Sequence, residues 1–114
     1  MVNVFAVTTY TYVVGYGSTT TFDGVEIQYQ GRLSARGADS SQLSVYGLRP
    51  GSPVPVIPYC NAAQTQGAIF VPFSDLHNYV DIVRNEKPVY ARLDPDLGLT
   101  LSTSLEPPGE EEGL

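Results

Sequence analysis

The chain has 114 residues, 42% of them apolar and 16% charged, which places it with single globular domains and outside the disordered class. Its formal charge of −6 is concentrated at one end, where Glu106, Glu110, Glu111 and Glu112 have no basic counterparts; the rest carries eight acids against six bases. So nearly neutral a body has no basic stripe for phosphates, which disfavours nucleic acid as a partner, and no apolar run approaches the ~18–20 residues of a membrane span.

Residues 2–14, "VNVFAVTTYTYVV", are dense in Val, Thr, Tyr and Phe, side chains that pack well on a pleated surface. Apolar residues fall on both alternating faces, which predicts a central strand covered on both sides for part of its length. "GYGS" then reads as the turn that leaves this strand. Asp23-Gly24 between two β-forming runs predicts a two-residue hairpin, because a type I′ turn needs positive φ at both central positions. The second arm alternates Val25, Ile27, Tyr29 and Leu33 with Glu26, Gln28, Gln30 and Arg32, the pattern of a half-buried strand. "SARGADSS" is a loop and "QLSVYGL" a short strand.

Pro50, Pro53, Pro55 and Pro58 make residues 49–60 an edge strand or a polyproline-like crossing, since proline has no N–H for a central ladder. "NAAQTQG" is a loop and "AIFVPF" a short buried strand. Residues 75–86, "DLHNYVDIVRNE", predict a helix with Ser74 as cap; Leu76, Tyr79, Val80 and Val83 give it one apolar stripe. "PVYARL" and "LTLSTSL" form a hairpin around "DPDLG". The expected fold is α+β, mainly antiparallel, with about seven strands in a curved sheet or small barrel and one helix in the C-terminal half. Residues 1–105 form the domain, and 106–114 a flexible acidic tail.

One cysteine cannot form an internal disulfide, which fits a reducing compartment. No Lys or Arg precedes Arg32, so the charged start of a signal peptide is missing. A cytoplasmic protein is the expectation. Chemistry-bearing residues are sparse. Cys60 sits in an apolar "VIPYC" context and is far in sequence from His77, the one imidazole. His77, Asp81 and Arg84 share a helix flank, where a solvated face with an Asp81–Arg84 ion pair is the simplest reading. Asp94-x-Asp96 is ordinary turn chemistry rather than a calcium loop. Threonines rather than a helix follow "GYGS", which argues against a phosphate-binding turn. No catalytic residue, metal or cofactor is assigned.

Tyr16-Gly17-Ser18 after an N-terminal strand, with "YVDIVRNEKPVYARL" later, resembles the small gamma-glutamylcyclotransferase-like proteins over about a quarter of the chain. The resemblance implies a substrate-binding Tyr-Gly-Ser loop. That family uses a central glutamate as general acid and base, whereas no acidic residue lies between Asp39 and Asp75 here.

Tyrosine is the remaining signal: eight, against four Phe and no Trp. Its apolar ring and polar tip suit recognition surfaces, although aromatics also stabilise sheets from within. Tyr10 and Tyr12 share a strand face, and Tyr29 is expected across from them. The favoured function is a non-catalytic binding or assembly module. It would act through a Tyr-rich sheet face, with Tyr10, Tyr12, Tyr16, Gly17, Ser18 and Tyr29 as binding residues, or through the proline-rich edge. Its partner would be a protein, a second copy in a homodimer, or a small ligand. The alternatives are a small cyclotransferase-like enzyme using residues 16–18, and a viral or other structural assembly component.

Overall fold

A computed structural model describes residues 2–55, 57–96 and 98–103. Among these residues the fold is α+β, with eight strands in two sheets and one helix. The smaller sheet is antiparallel, with β1 (Asn3–Ala6), β7 (Tyr90–Asp94) and β8 (Gly98–Ser102) in the order β1-β7-β8. The larger contains β2 (Thr9–Phe22), β3 (Val25–Arg36), β4 (Gln42–Leu48), β5 (Tyr59–Cys60) and β6 (Gln66–Pro72) in the order β2-β3-β4-β6-β5. Its pairs are antiparallel except β4 and β6, which run parallel.

The run from Val2 to Val14 is not one central strand. It divides at Val7-Thr8, where the Val7 amide donates to Val89 O and the Thr8 amide to Arg36 O, so consecutive residues bond to different sheets. Both resulting strands lie at sheet edges. The Asp23-Gly24 hairpin forms as predicted, with φ of +50° and +80° and Phe22 opposite Val25. The β7–β8 hairpin also forms, and the Asp94 carboxylate accepts from the Asp96 amide across its turn. The acidic tail expected at 106–114 lies outside the described residues.

Helix α1 (Phe73–Asn85) starts earlier than the sequence suggests, with Pro72 rather than Ser74 at the cap position and no side-chain cap. A proline suits that place because it has no N–H to satisfy. The predicted stripe faces the core: Leu76 and Val80 are buried, and Tyr79 and Val83 pack beside them. The helix covers chiefly β3 and β4, and less of β6. Its core partners include Leu33, Leu43, Val45 and Ile69 of the large sheet and Leu93 and Leu99 of the small one.

Three glycines set how closely these layers approach. A Cβ on Gly31 would lie 2.7 Å from Leu76 Cδ2, and one on Gly67 2.5 Å from Leu99 Cδ2. At Gly47 it would meet Leu76 and Phe73 side-chain atoms at 3.0 Å and the Phe73 Cα at 3.1 Å. A second cluster fills the opposite face of the large sheet, where Ile27, Tyr46, Leu48 and Ala68 are buried with Phe22, Tyr29, Tyr59 and Phe70 packed on them. The Phe22 ring reaches Tyr46, Tyr59 and Phe70 at centroid distances of 5.2–5.4 Å. The two ends of the sheet thus touch through Phe22 and Tyr59. No ladder joins β2 to β5, so the sheet is curved and not closed into a barrel.

Gly47→Ala should cost about 1–3 kcal/mol, because the helix backbone has to move to admit the methyl group. Gly15→Ala meets nothing within 4 Å and should change stability by less than ~0.5 kcal/mol. Urea unfolding of the two variants checks the contrast; equal losses would contradict it.

Candidate functional site

The exposed apolar surface gathers on β2. Tyr10, Tyr12, Val13, Val14 and Tyr16 are 38%, 41%, 52%, 58% and 77% exposed, and they make up five of the eight large exposed hydrophobic residues among the described residues. Pairing explains the exposure. Tyr10 and Tyr12 lie opposite Ala35 and Leu33, so they share the face that packs on α1. Ala35 and Leu33 are fully buried, yet the helix lies chiefly over β3 and β4 and leaves most of β2 uncovered. Among the described residues no strand pairs with the outer edge of β2, which carries the remaining backbone N–H and C=O groups of a 14-residue strand.

Gly15 to Ser18 belong to this strand and are not a turn that ends it. Val14 pairs with Gly31 and Ser18 with Tyr29, so three β2 residues stand against the single residue Gln30. The bulge uses Gly17 at φ +85°, a conformation that side chains resist. It projects Tyr16 outward. There the Tyr16 hydroxyl accepts from Arg49 Nη2 at 2.8 Å, and the guanidinium carbon stands 4.3 Å from the ring centroid. Tyr29 is not across from Tyr10 and Tyr12. It opposes Ser18 and Leu48, and its ring packs against Tyr46 at 5.0 Å, on the sheet face away from α1.

Beside the bulge, at the carboxyl ends of the parallel strands β4 and β6, lies an open cleft of about 670 Å³. Its walls include Leu48, Val54, Phe70, Val71 and Phe73. Arg49-Pro50-Gly51-Ser52 closes one side as a β-turn, with Ser52 N donating to Arg49 O and Gly51 at φ +85°. This turn is stapled to β3: Arg49 N donates to Gln28 O, and Gln28 N donates to the Ser52 hydroxyl. The start of α1 forms the other side. Arg49 was not singled out from the sequence, where four prolines dominate the segment. Its signal was the Pro-Gly pair directly after a strand, which predicts a turn that fixes the preceding side chain.

Among the described residues the cleft lining carries no carboxylate, imidazole or thiol. Tyr16, Gly17 and Ser18 stand outside it, as do Cys60 and His77. A larger cleft of about 910 Å³ between the β1–β2 junction and the end of α1 mixes both charge signs, with Arg84, Glu86 and Lys87 at its rim. His77 is exposed on α1, and the expected ion pair forms as Arg84 Nη2–Asp81 Oδ1 at 3.2 Å between exposed side chains. Among the described residues no group of three His, Cys, Asp or Glu is placed to hold a metal ion, and no helix is long and apolar enough to cross a membrane. No family model, curated protein or solved structure matches the chain.

Cys60, on the short β5, packs against the main core, and burial pushes its thiol above the ordinary value. The neutral thiol is therefore favoured in the folded protein. Labelling by dithiobis-nitrobenzoate should be slower than for free cysteine near neutral pH, with its rate midpoint above the ordinary thiol pKa of about 8.5. A midpoint at or below that value would show an activated thiol and contradict this reading.

Proposed function

We propose that this protein is a non-catalytic association module whose open β2 edge pairs with the same edge of a second copy. The observation that carries the reading is the character of that edge. Sheet edges are ordinarily protected by charge, proline or shortness. β2 has 14 residues, "TYTYVVGYGSTTTF", with neither a charged residue nor a proline. The other edges conform to the rule: β1 has four residues, β8 five, and β5 two after a proline-rich crossing.

The segment Thr9–Val14 precedes the bulge and keeps a regular register. A two-fold axis normal to the sheet would bring two such segments together antiparallel. Opposed residues then share a face, so Tyr10 and Tyr12 would meet tyrosines or Val14 of the other copy, and Val13 would meet Thr11 or Val13. Aromatic and β-branched pairs of this kind stabilise a ladder by roughly 0.2–1 kcal/mol each. The symmetry closes at two copies, which limits growth. The described lining of the cleft beside β2, which offers no carboxylate, imidazole or thiol, supports a binding role over the cyclotransferase-like alternative. The same edge also suits an assembly component.

Sedimentation equilibrium over a broad concentration series tests this. The wild-type chain, 12.3 kDa, should approach twice its mass as concentration rises. Val13→Lys places a charge beside its own symmetry mate and should weaken the dimer at least about tenfold, with an unchanged circular dichroism spectrum. A wild-type monomer at the highest concentration, or equal dimerisation of the variant, would refute the proposal.

A further inference from the structure

We infer that the cleft at the carboxyl ends of β4 and β6 binds a small apolar molecule carrying one negative charge, with the Arg49 guanidinium as its counter-ion. Crevices beyond the carboxyl ends of parallel strands are common ligand sites, because the chain leaves the sheet there and opens a gap. β4 and β6 are the parallel pair of this fold, and the cleft sits where they end. Its volume of about 670 Å³ lies within the range of small-molecule sites. Phe70 and Phe73, from the two faces of the sheet, add aromatic carbon to its lining, which suits an apolar ligand body.

Charge decides the rest. Arg49 is the charged residue of the lining, and among the described residues no carboxylate lies within ion-pair distance of it. Its side-chain partner among the described residues is the neutral Tyr16 hydroxyl, so none of them compensates its charge. The guanidinium is also placed in advance. The ring contact and hydrogen bond to Tyr16 hold its tip, and the bonds of Arg49 N and Ser52 to Gln28 hold its base. Preorganisation of this kind lowers the cost of ordering the side chain on binding. Gln30, Ser52 and Ser74 add neutral polar groups to the lining. An apolar cation would meet repulsion from Arg49, and a neutral molecule would leave its charge unused. Tyr16 acts here as a positioning residue, through Arg49, and gives the β2 bulge a role distinct from edge pairing.

Titration of the full-length ¹⁵N-labelled chain with 1-naphthoate and with its neutral analogue 1-naphthamide tests the inference. Naphthoate should shift the amides of Arg49, Gly51, Ser52, Phe70 and Phe73 saturably, and should bind at least about tenfold more tightly than naphthamide. Arg49→Gln should abolish that preference while retaining naphthamide binding, and Arg49→Lys should keep part of it. Val13→Lys, on the β2 edge, should leave both affinities unchanged. Equal affinity for the two probes would overturn the inference. So would shifts centred on β2, or no saturation by millimolar naphthoate.

Discussion

The approach of α1 to the glycine-cleared face of the large sheet is the constraint on which the rest of the molecule depends. Gly31 and Gly47 are cross-strand partners on β3 and β4, and the first turn of the helix sits over both. Any side chain there would push Phe73 and Leu76 outward. Close packing at this point carries the helix chiefly over β3 and β4 and so leaves most of β2 uncovered. It also seats the helix start at the end of β6, where it becomes one wall of the cleft. Gly67 does the same for the small sheet, admitting Leu93 and Leu99. An open edge and a cleft are thus two results of one packing decision.

Curvature has a separate origin. The irregular register between β2 and β3 at residues 15–17, and that between β3 and β4 near Gln30, bend the sheet. The far half of the β2–β3 hairpin then closes over the face away from α1, where Phe22 inserts among Tyr46, Tyr59 and Phe70. Aromatic contacts of this kind contribute about 0.5–1.5 kcal/mol each beyond burial. Their position also explains the two populations of tyrosine. Tyr29, Tyr46 and Tyr59 lie in this cluster, whereas Tyr10, Tyr12 and Tyr16 precede or occupy the bulge and stay exposed.

What was legible in the sequence was local. The Asp23-Gly24 turn, the helical stripe from Leu76 to Val83 and the final hairpin each depend on a few adjacent residues, and each formed. The misreadings concern long-range pairing. Val7 and Thr8 look like the middle of one strand, yet their amides bond to different sheets. Gly15 and Gly17 mark a turn by composition, but the ladder to β3 resumes at Ser18, which makes the segment a bulge. Alternation identified Tyr29 as facing a sheet surface, though the bulge moves it to the opposite surface from Tyr10 and Tyr12. Gly31, Gly47 and Gly67 carried no visible signal, because the atoms they make room for lie far away in the chain. Arg49 differs in part: the Pro-Gly pair after it marks a turn, but its partner Tyr16 is 33 residues distant and leaves no local signal.

Amide hydrogen exchange along β2, measured at low and high protein concentration, tests edge pairing most directly. An unpaired edge exposes its outward amides to water, and pairing with a second copy would bury them in a ladder. Pairing predicts that amides within Thr9–Val14 gain protection as concentration rises, while β5 and β8 exchange at unchanged rates. Protection along Thr9–Val14 that does not depend on concentration would contradict it.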